Sequence, residues 1–382
     1  MRIVLAPDSF KGGLSAGEVC EAAESGIRGI LPEAKIKKFP LADGGEGTLQ
    51  ALESELCCKR IKTRVTKPLG EKTEAEFAVC EDGYTAVIES ARASGMGLIP
   101  PGIPDPLLAS SRGTGELIRC ALDSGCNRII VGIGGSATND CGAGALKALG
   151  FELTDDTGAD IGPGGKSLSG LKKINASGAD PRLNSARIEI AHDVQNVLLG
   201  PNGATYTYAP QKGAGADDLP VLEKGLEHFS RLAEKDMGIE ISDRPGSGAA
   251  GGLGAGLLLL PGAKLIPGFK LIRETIGLEE KIKLFHPDII FTAEGEINAQ
   301  TAMGKVPCGV GRIGRELGVP VIALAGALGP GYEKAYTCGI TAMFSVADRP
   351  MSIETSIDRT RELIRGTAAS LTRLLNACGQ EA

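Results

Sequence analysis

The sequence predicts an α/β protein in which the two ends of the chain form one domain and the middle forms another. Near both ends, apolar runs that do not alternate with polar residues are separated by segments with helical spacing. This pattern is typical of a parallel, doubly wound sheet that is covered on both faces. Residues 59–90 differ, because three short strand patterns with a turn at 81–83 indicate an antiparallel segment.

We therefore expect a discontinuous, Rossmann-like α/β domain made of residues 1–75 and 266–382, with a mixed α+β domain inserted at residues 76–265. Surface loops tolerate such insertions, and ligands favour the cleft between two domains. The sequence thus predicts a functional site in the cleft between the two domains.

Each element has its own signal, and the first helix has the clearest one. Ser15 and Glu18 form the capping box that starts a helix, and apolar residues recur at helical spacing until Pro32. The other predicted helices lie at 48–56, 113–123, 142–149, 219–236, 307–317 and 352–377. The predicted strands lie at 2–7, 35–41, 59–66, 74–80, 84–89, 128–131, 186–191, 288–292, 319–325 and 342–346.

The composition of the 382-residue chain is that of a soluble globular protein, with 42% hydrophobic and 23% charged residues. A net charge of −6 argues against nucleic acid as a partner, because proteins that bind it are usually basic. The best candidate for a membrane segment, 253–260, is too short to span a bilayer, and the amino terminus has the pattern of a strand rather than a signal peptide. We therefore expect a cytoplasmic protein with no membrane partner.

The ten cysteines and three histidines are scattered along the chain and include no C-x-x-C pair. This spacing indicates neither a zinc site nor a disulfide framework. We expect free, reduced thiols, as in most cytoplasmic proteins.

The most informative segment is residues 128–140, R-I-I-V-G-I-G-G-S-A-T-N-D, in which an apolar strand runs into a glycine-rich turn. Glycine lets the backbone approach a ligand closely, and the N–H groups of such a turn hold anions. Gly134, Gly135 and Ser136 are therefore candidates for binding a phosphorylated ligand, although a tight turn without a ligand would need the same glycines. The turn also fits G-x-G-x-x-A with Glu152 at a suitable distance, which leaves open an NAD-dependent hydroxy-acid dehydrogenase.

Charged residues follow the first two predicted strands, where ligands bind in open α/β sheets. Asp8, Ser9 and Lys11 come directly after the first strand, and Lys11 suits a phosphate or a carboxylate. Asp43 and Glu46 lie among glycines after the second strand and suit Mg²⁺ or a substrate hydroxyl. The alternatives are a solvated loop for the first group and a helix cap for Asp43.

Two later strands also end in polar residues. Asp193 follows one of them and could act as a general base toward an alcohol or as a metal ligand, whereas His192 is better explained as a packed histidine. Glu294, Asn298 and Lys305 follow the next strand. Because several strands end in glycine with an acid, a lysine or a hydroxyl, the sequence predicts a site for an anionic ligand and a divalent metal.

A set of motifs runs through nearly the whole chain. They are D-S-F-K (8–11) with L-S-A (14–16), P-L-A-D-G-G-E-G-T (40–48), S-S-R-G-T-G-E-L-I (110–118), G-I-G-G-S-A-T-N-D (132–140), D-V-Q-N (193–196), P-Q-K-G-A (210–214), G-A-A-G-G-L-G (248–254) and Q-T-A-M-G-K-V-P (300–307). On these motifs, which occur in the same order, the chain resembles the bacterial glycerate kinases of the two-domain type.

The resemblance implies a kinase of glyoxylate and sugar-acid catabolism. Such an enzyme transfers the γ-phosphate of ATP, with Mg²⁺, to a hydroxyl of D-glycerate and releases 2-phosphoglycerate. A kinase of this kind must surround the donor phosphates with positive charge and N–H groups. We expect Gly134, Gly135 and Ser136 to do so together with Lys11.

Mg²⁺ binding, proton acceptance and glycerate binding are expected of acids and of residues near the strand ends. We expect Asp43 and Asp193 to hold Mg²⁺, and Asp193 to act as the base that receives the hydroxyl proton. Ser9, Lys11 and Arg92 are expected to bind the carboxylate of glycerate, with Asp43 as a further substrate ligand.

The chain departs from the family pattern at His192, Val197 and Arg92, where a cysteine, a proline and a small residue are common, but the most important departure lies in one segment. Where the pattern T-G-E-G-R-I-D is usual, residues 292–298 are T-A-E-G-E-I-N, so that Glu296 replaces an arginine and Asn298 replaces an aspartate. Asparagine does not ionise and is restricted to neutral coordination or hydrogen bonding. These changes leave open a catalytically impaired homologue that binds nucleotide or hydroxy acid as a sensor. A homodimer is also left open.

Overall fold

The computed structural model of the chain describes residues 1–45, 47–100, 102 and 104–379. Its strands are β1 (Arg2–Leu5), β2 (Lys35–Lys38), β3 (Lys59–Thr66), β4 (Lys72–Val79), β5 (Thr85–Glu89), β6 (Arg128–Gly132), β7 (Glu152–Thr154), β8 (Lys173–Asn175), β9 (Arg187–His192), β10 (Lys264–Pro267), β11 (Ile289–Ile297), β12 (Val321–Leu328) and β13 (Ala342–Ser345). Its α-helices are α1 (Ala16–Arg28), α2 (Thr48–Leu56), α3 (Ala91–Ser94), α4 (Arg112–Asp123), α5 (Ala143–Ala148), α6 (Ala204–Tyr208), α7 (Asp218–Met237), α8 (Leu253–Leu257), α9 (Gly268–Ile276), α10 (Leu278–Phe285), α11 (Val306–Leu317), α12 (Ile353–Asp358) and α13 (Thr360–Gly379). The α/β class predicted from the sequence is confirmed, and among the described helices none is long and apolar enough to cross a membrane.

The chain divides into two compact units. Unit 1 consists of Met1–Asp43 and Phe269–Ala382, and unit 2 consists of Gly44–Gly268. The first boundary is predicted at residue 75, whereas the units divide at Asp43, because β3 pairs with β4 in the sheet of unit 2. The second boundary, expected at residue 265, lies at Gly268.

Unit 1 is built on a five-stranded sheet in the order β13–β12–β11–β1–β2, in which all neighbouring strands are parallel. One face of the sheet packs against α1 and α13, and the other packs against α11. Because helices cover both faces, the strands show no alternation of apolar and polar residues.

Strands β1 and β11 lie side by side, and the chain leaves them in opposite directions. From β1 it continues through α1 to β2 at one edge, and from β11 it continues through α11 to β12 and then to β13 at the other. Ligands bind beyond the carboxyl ends of the strands where a sheet reverses direction in this way. The residues that follow β1 and end β11 are therefore the first place to look for a site in unit 1.

Unit 2 is built on a mixed six-stranded sheet in the order β10–β9–β6–β5–β4–β3. Strands β3, β4 and β5 pair in antiparallel fashion, as the sequence predicts for residues 59–90, while β5, β6, β9 and β10 pair in parallel. A separate hairpin is formed by β7 and β8. The carboxyl ends of the parallel strands lie at one edge of the sheet.

Some elements differ from those predicted. The helix predicted at 352–377 consists of two helices, α12 and α13, that meet at Arg359. The short strands β7, β8 and β10 are not predicted, because runs of three or four residues carry little periodicity.

Cys58 and Cys80 form a disulfide bond, which corrects the expectation that all thiols are free. The register of β3 and β4 pairs Lys59 with Val79, so the cysteines that flank this pair stand opposite each other. They are 22 residues apart in sequence, a spacing that carries no signal until the strand pairing is known.

Candidate active site

Three predicted acids of unit 1 lie together near the carboxyl ends of its central strands. Asp8, Asp43 and Glu294 are each only 6% exposed. The backbone of Asp8 is fixed by its N–H group, which donates to Ala293 O at 2.8 Å. Its Oδ1 accepts a hydrogen bond from the N–H of Ser9 at 2.6 Å. The parallel pairing of β1 with β11 therefore brings together acids that are far apart in sequence.

The charges of these acids repel one another. Burial raises the pKa of Asp8 well above its ordinary value, and the charges of Asp43 and Glu294 raise it further. Burial also raises the pKa of Glu294, against the lowering effect of Lys305. A bound cation would relieve this repulsion by favouring the charged carboxylates.

Lys305 and Thr301 hold the Glu294 carboxylate. Lys305 Nζ donates to Glu294 Oε1 at 2.7 Å, and Thr301 Oγ1 donates to Oε2 at 3.2 Å. Asn298 extends the network, since its N–H donates to Thr301 Oγ1 at 3.1 Å and its Nδ2 donates to Glu296 Oε1 at 3.0 Å. The structure thus brings the predicted residues Glu294, Asn298 and Lys305 together and adds Thr301.

This polar cluster forms one end of a pocket of about 650 Å³ at the carboxyl edge of the unit 1 sheet. Asp8, Ser9 and Lys11 line it together with Glu294 and Lys305. The pocket continues toward the loop after β13 and toward α12. Its volume lies in the range of about 300–1,000 Å³ that is usual for small-molecule sites.

The oxygen donors of unit 1 fit Mg²⁺. Among the described residues, no group of three or more histidine, cysteine, aspartate or glutamate side chains is arranged as a metal site. Mg²⁺ does not require one, because it is usually held by one or two carboxylates, with water and substrate phosphates as the other ligands. Asp8 and Asp43, which are buried and repel each other, can supply these carboxylates.

In unit 2, the loop after β6 packs closely on the loop before α2. A Cβ atom at Gly134 would lie 2.5 Å from Gly45 Cα, so any side chain there would push the two backbones apart. Gly135 adopts a φ of +73°, which glycine tolerates best. Backbone packing and turn geometry therefore account for these two glycines whether or not a ligand binds.

Lys212 supports this loop from the core of unit 2, where it is 3% exposed. Its Nζ donates to Ser136 Oγ at 3.1 Å and to Thr138 O at 2.7 Å. Burial lowers the pKa of the Lys212 amine to about 7, against the opposing effect of the Asp140 charge. The buried lysine thus places a positive charge, below that pKa, next to the loop.

Asp140, at the end of the same motif, serves the fold. It is fully buried, and its Oδ2 accepts hydrogen bonds from Ser111 N–H at 2.8 Å and from Ser111 Oγ at 2.9 Å. The N–H groups of Gly142 and Gly144 donate to it at 3.2 Å. This carboxylate therefore joins the starts of α4 and α5.

Arg92 follows β5 and is bound by two acids. Its Nε lies 3.0 Å from Glu89 Oε2, and its Nη1 lies 2.8 Å from Glu76 Oε1. Glu89 in turn accepts hydrogen bonds from the N–H groups of Gly47 at 2.9 Å and Leu49 at 3.0 Å, at the start of α2. These contacts fix a helix start and give no support to the predicted role of Arg92 as a substrate ligand.

Asp193 follows β9 at the same edge of the sheet and is half-buried. Burial, and then the charge of Asp193, raise the pKa of Tyr208 to about 12. His192 is a packed residue, as its sequence context favours, because it is 3% exposed and its Nδ1 lies 2.7 Å from Val194 O. The remaining candidate, Glu46, lies outside the described residues.

Comparison with known proteins identifies the family of this chain. The model of the "Glycerate kinase family" matches residues 3–376. The chain belongs to the glycerate kinase family. A glycerate kinase of Bacillus subtilis (strain 168) is 46% identical over 371 residues, which are 97% of each chain. A glycerate 2-kinase of Escherichia coli (strain K12) is 44% identical over 373 residues, which are 98% of this chain and 96% of that one.

A solved structure supports the same assignment. The crystal structure assigned to a glycerate kinase 2 from Salmonella typhimurium LT2 is 43% identical and superposes with a TM-score of 0.87, covering 100% of both chains. At this identity the likeness extends beyond the fold to the family itself.

The departures from the glycerate kinase pattern at Glu296 and Asn298 are in contact with each other. Asn298 donates to Glu296 through the hydrogen bond described above, so both changes fall on one pair. A Cβ atom at Gly329 would collide with Glu296 Oε1 and lie 3.2 Å from Asn298 Cβ, so Gly329 leaves room for the pair. Both positions therefore belong to one local contact in this chain.

Two residues of this member of the glycerate kinase family are not predicted from the sequence. Lys212 lies in the motif P-Q-K-G-A, and Thr301 lies in Q-T-A-M-G-K-V-P, but neither was given a role. A lysine inside a shared motif, without an acid at helical spacing to pair with it, is the signal that could have pointed to Lys212.

Proposed function

We propose that the chain is an ATP-dependent kinase that phosphorylates D-glycerate to 2-phosphoglycerate with the help of Mg²⁺. The observation that carries this proposal is the pocket of unit 1, where buried acids and lysines lie at the carboxyl ends of β1 and β11. Relatives named glycerate kinase and glycerate 2-kinase, 46% and 44% identical over nearly the whole chain, support the substrate and the position of the phosphate.

The donor phosphates need positive charge and N–H groups around them. Lys11 is exposed at the pocket of unit 1 and suits this role. In unit 2, we assign the N–H groups of Gly134, Gly135 and Ser136 to the phosphates. The Lys212 ammonium supports this assignment because it is hydrogen-bonded to Ser136.

Asp8 and Asp43 are the residues that would hold Mg²⁺ in unit 1. When bound, Mg²⁺ neutralises the negative charge of the donor phosphates. The raised pKa of Asp8 supports this assignment, since the charges of Asp43 and Glu294 contribute to it and a bound cation would offset them. Asp193, the other acid predicted as a ligand, belongs to unit 2.

The remaining residues would position glycerate and accept its proton. Ser9 and Lys11, which line the pocket, would bind the glycerate carboxylate. Asp193, half-buried at a strand end, would accept the proton of the attacking hydroxyl. General acid–base catalysis by such a group typically raises the reaction rate by about 10²–10⁴-fold.

We also propose that unit 1 is a doubly wound, Rossmann-like domain into which unit 2 is inserted. The parallel sheet, its helices on both faces and its two separate chain segments support this description. We further propose a cytoplasmic location, on the strength of the composition of the chain.

The decisive experiment measures ADP release from Mg-ATP with and without D-glycerate and identifies the product by phosphorus NMR. We expect ADP release that depends on both Mg²⁺ and D-glycerate, with the phosphate on the 2-hydroxyl. Absence of both binding and turnover across three-carbon hydroxy acids would refute the kinase. ATP binding without turnover would instead support an impaired, sensor-like homologue, and protection by NADH in a thermal-shift assay would support a dehydrogenase.

A further inference from the structure

The pocket of unit 1 has two chemically different ends. One end is the polar cluster of acids and lysines described above. The other, which we call the apolar end, is lined by the apolar residues Pro350, Met351, Ile353 and Ile357, with Arg349, Ser352 and Ser356 between and beside them. The polar end has more acids than lysines, so it suits an anionic group that binds together with a cation such as Mg²⁺, while the other end suits an apolar group.

The apolar end presents hydrophobic side chains to solvent. Ile353 is 76% exposed and Ile357 is 37% exposed. The helix that carries them is held in place, because Arg359 Nη2 lies 2.8 Å from Asp348 Oδ2 and Ser352 caps its first turn. These exposed apolar side chains stand on a fixed scaffold and line the cavity, so a ligand in the pocket can cover them.

The two ends of the pocket are continuous. A Cβ atom at Gly12 would lie 3.6 Å from Ile357 Cδ1, so α12 rests on the loop that carries Lys11. The loop that carries Lys11 therefore borders the apolar end as well as the polar cluster, and a ligand long enough to extend from Lys11 can reach Ile357.

The size of the pocket leaves room for more than glycerate. At about 650 Å³ the pocket can hold a drug-sized molecule, whereas a three-carbon acid would leave most of it unfilled. A nucleoside triphosphate combines polyphosphate with a flat, largely apolar base and so matches both ends. We infer that the apolar end binds the base of the nucleoside triphosphate that donates the phosphate. This inference rests on the proposed function, which requires such a donor.

The test compares the binding of ATP with that of inorganic tripolyphosphate, which has no base, in the presence of Mg²⁺. The variant carries Ile353→Ser and Ile357→Ser, two changes of exposed residues on which the core does not depend. The matched control is Leu284→Ser, which removes a 67% exposed aliphatic side chain of α10 outside the pocket lining. Dissociation constants come from calorimetry, and KM values come from the kinase assay.

We expect the wild type to bind ATP more tightly than tripolyphosphate. In the double variant this preference should fall by about tenfold, because the apolar area that the base covers has been removed. The affinity for tripolyphosphate and the KM for D-glycerate should change by no more than about twofold, since neither ligand reaches the apolar end. The Leu284→Ser protein should keep the wild-type preference.

Two results would overturn the inference. One is a double variant that keeps the wild-type preference for ATP over tripolyphosphate. The other is a double variant in which the KM for D-glycerate rises while the affinity for ATP does not change. The calorimetry needs no turnover, so it separates this inference from the proposed function. If the double variant loses its preference for ATP but the wild type transfers no phosphate, the proposed kinase function is refuted and the base site stands. If the wild type transfers phosphate normally and the double variant keeps its preference for ATP, the kinase function stands and the base site is refuted.

Discussion

Lys212 donates a hydrogen bond to Ser136 Oγ at 3.1 Å from inside the core of unit 2. The same amine donates to Thr138 O at 2.7 Å, so it holds the chain on both sides of Ala137. Burying a charged amine costs free energy that hydrogen bonds offset only in part. A loop supported at this cost is a strong candidate for the phosphate-binding role proposed for it.

The first prediction concerns the stability of Lys212→Met as a function of pH. Burial lowers the pKa of the amine from 10.5 to about 7, so between these values the unfolded chain keeps a proton that the folded chain has lost. Through this group, stability therefore rises with pH from about 7 toward 10.5 and is lowest below 7. The wild type should gain free energy of unfolding relative to the variant over this window.

Urea unfolding of both proteins at several pH values between about 6 and 9 measures the difference. Titrating groups that do not interact with Lys212 are common to both proteins and cancel. A difference in unfolding free energy that does not vary with pH would contradict the buried, titrating lysine.

The second prediction concerns Gly134→Ala. The new Cβ would lie 2.5 Å from Gly45 Cα. Because the atom it would meet belongs to the backbone of Gly45 and not to a flexible side chain, one of the two loops would have to move. We expect a loss of about 1–3 kcal/mol in the free energy of unfolding, as in other overpacked sites. Gly97→Ala is the control, since a Cβ there would meet no described atom within 4 Å. Equal unfolding midpoints for the two variants would show that the loops are not packed as described.

The acids of unit 1 show what sequence alone can provide. Asp8 comes after the apolar run of β1, and Glu294 comes after the apolar run with which β11 begins. Each run is recognisable as a strand from its sequence, and parallel strands have their carboxyl ends at one edge of the sheet. Local pattern and one general rule are therefore enough to place both residues at one site. The same reasoning finds the strand ends that carry Gly134 and Asp193 in unit 2.

What the sequence could not provide depends on contacts between distant segments. Lys212 reaches Ser136 across 76 residues, from a turn of only three residues that has no periodicity. Arg92 looks like a free cation in sequence, but strand pairing sets Glu76 beside it. Such pairs are fixed by packing and register, which no local pattern encodes.

The third prediction concerns Asp8→Asn, which removes a buried charge and keeps the Oδ1 that accepts from Ser9 N–H. Burial, followed by the charge of Asp43, raises the pKa of Asp8 above its ordinary 3.8. Its ionised form therefore destabilises the folded state, and this loss grows as pH rises from 3.8 through the raised pKa. In EDTA at neutral pH, we expect the variant to melt at a higher temperature than the wild type and to lose kinase activity.

Thermal melting across the pH range tests both parts of this expectation. The advantage of Asp8→Asn should shrink toward about pH 4, where the wild-type carboxyl is protonated. Added Mg²⁺ should raise the melting temperature of the wild type more than that of the variant. A variant that melts below the wild type at neutral pH would count against a repulsive cluster of acids.

The fourth prediction concerns the pair Glu296 and Asn298. Asn298→Asp alone would place a carboxylate oxygen where Nδ2 now donates to Glu296 Oε1, 3.0 Å away. Two like charges at that separation repel, so kcat/KM for D-glycerate should fall. Adding Glu296→Arg turns the pair into one of opposite charge and should restore the rate to at least the wild-type value.

A double-mutant cycle that includes Glu296→Arg alone measures the coupling between the two positions. We expect a favourable interaction of about 0.5–3 kcal/mol, the range found for residues in direct contact. Effects on kcat/KM that simply add would mean that the contact between these side chains does not reach the reaction. Coupling would show instead that the contact between Glu296 and Asn298 contributes to the reaction, so that the effect of an asparagine at residue 298 depends on the residue at 296.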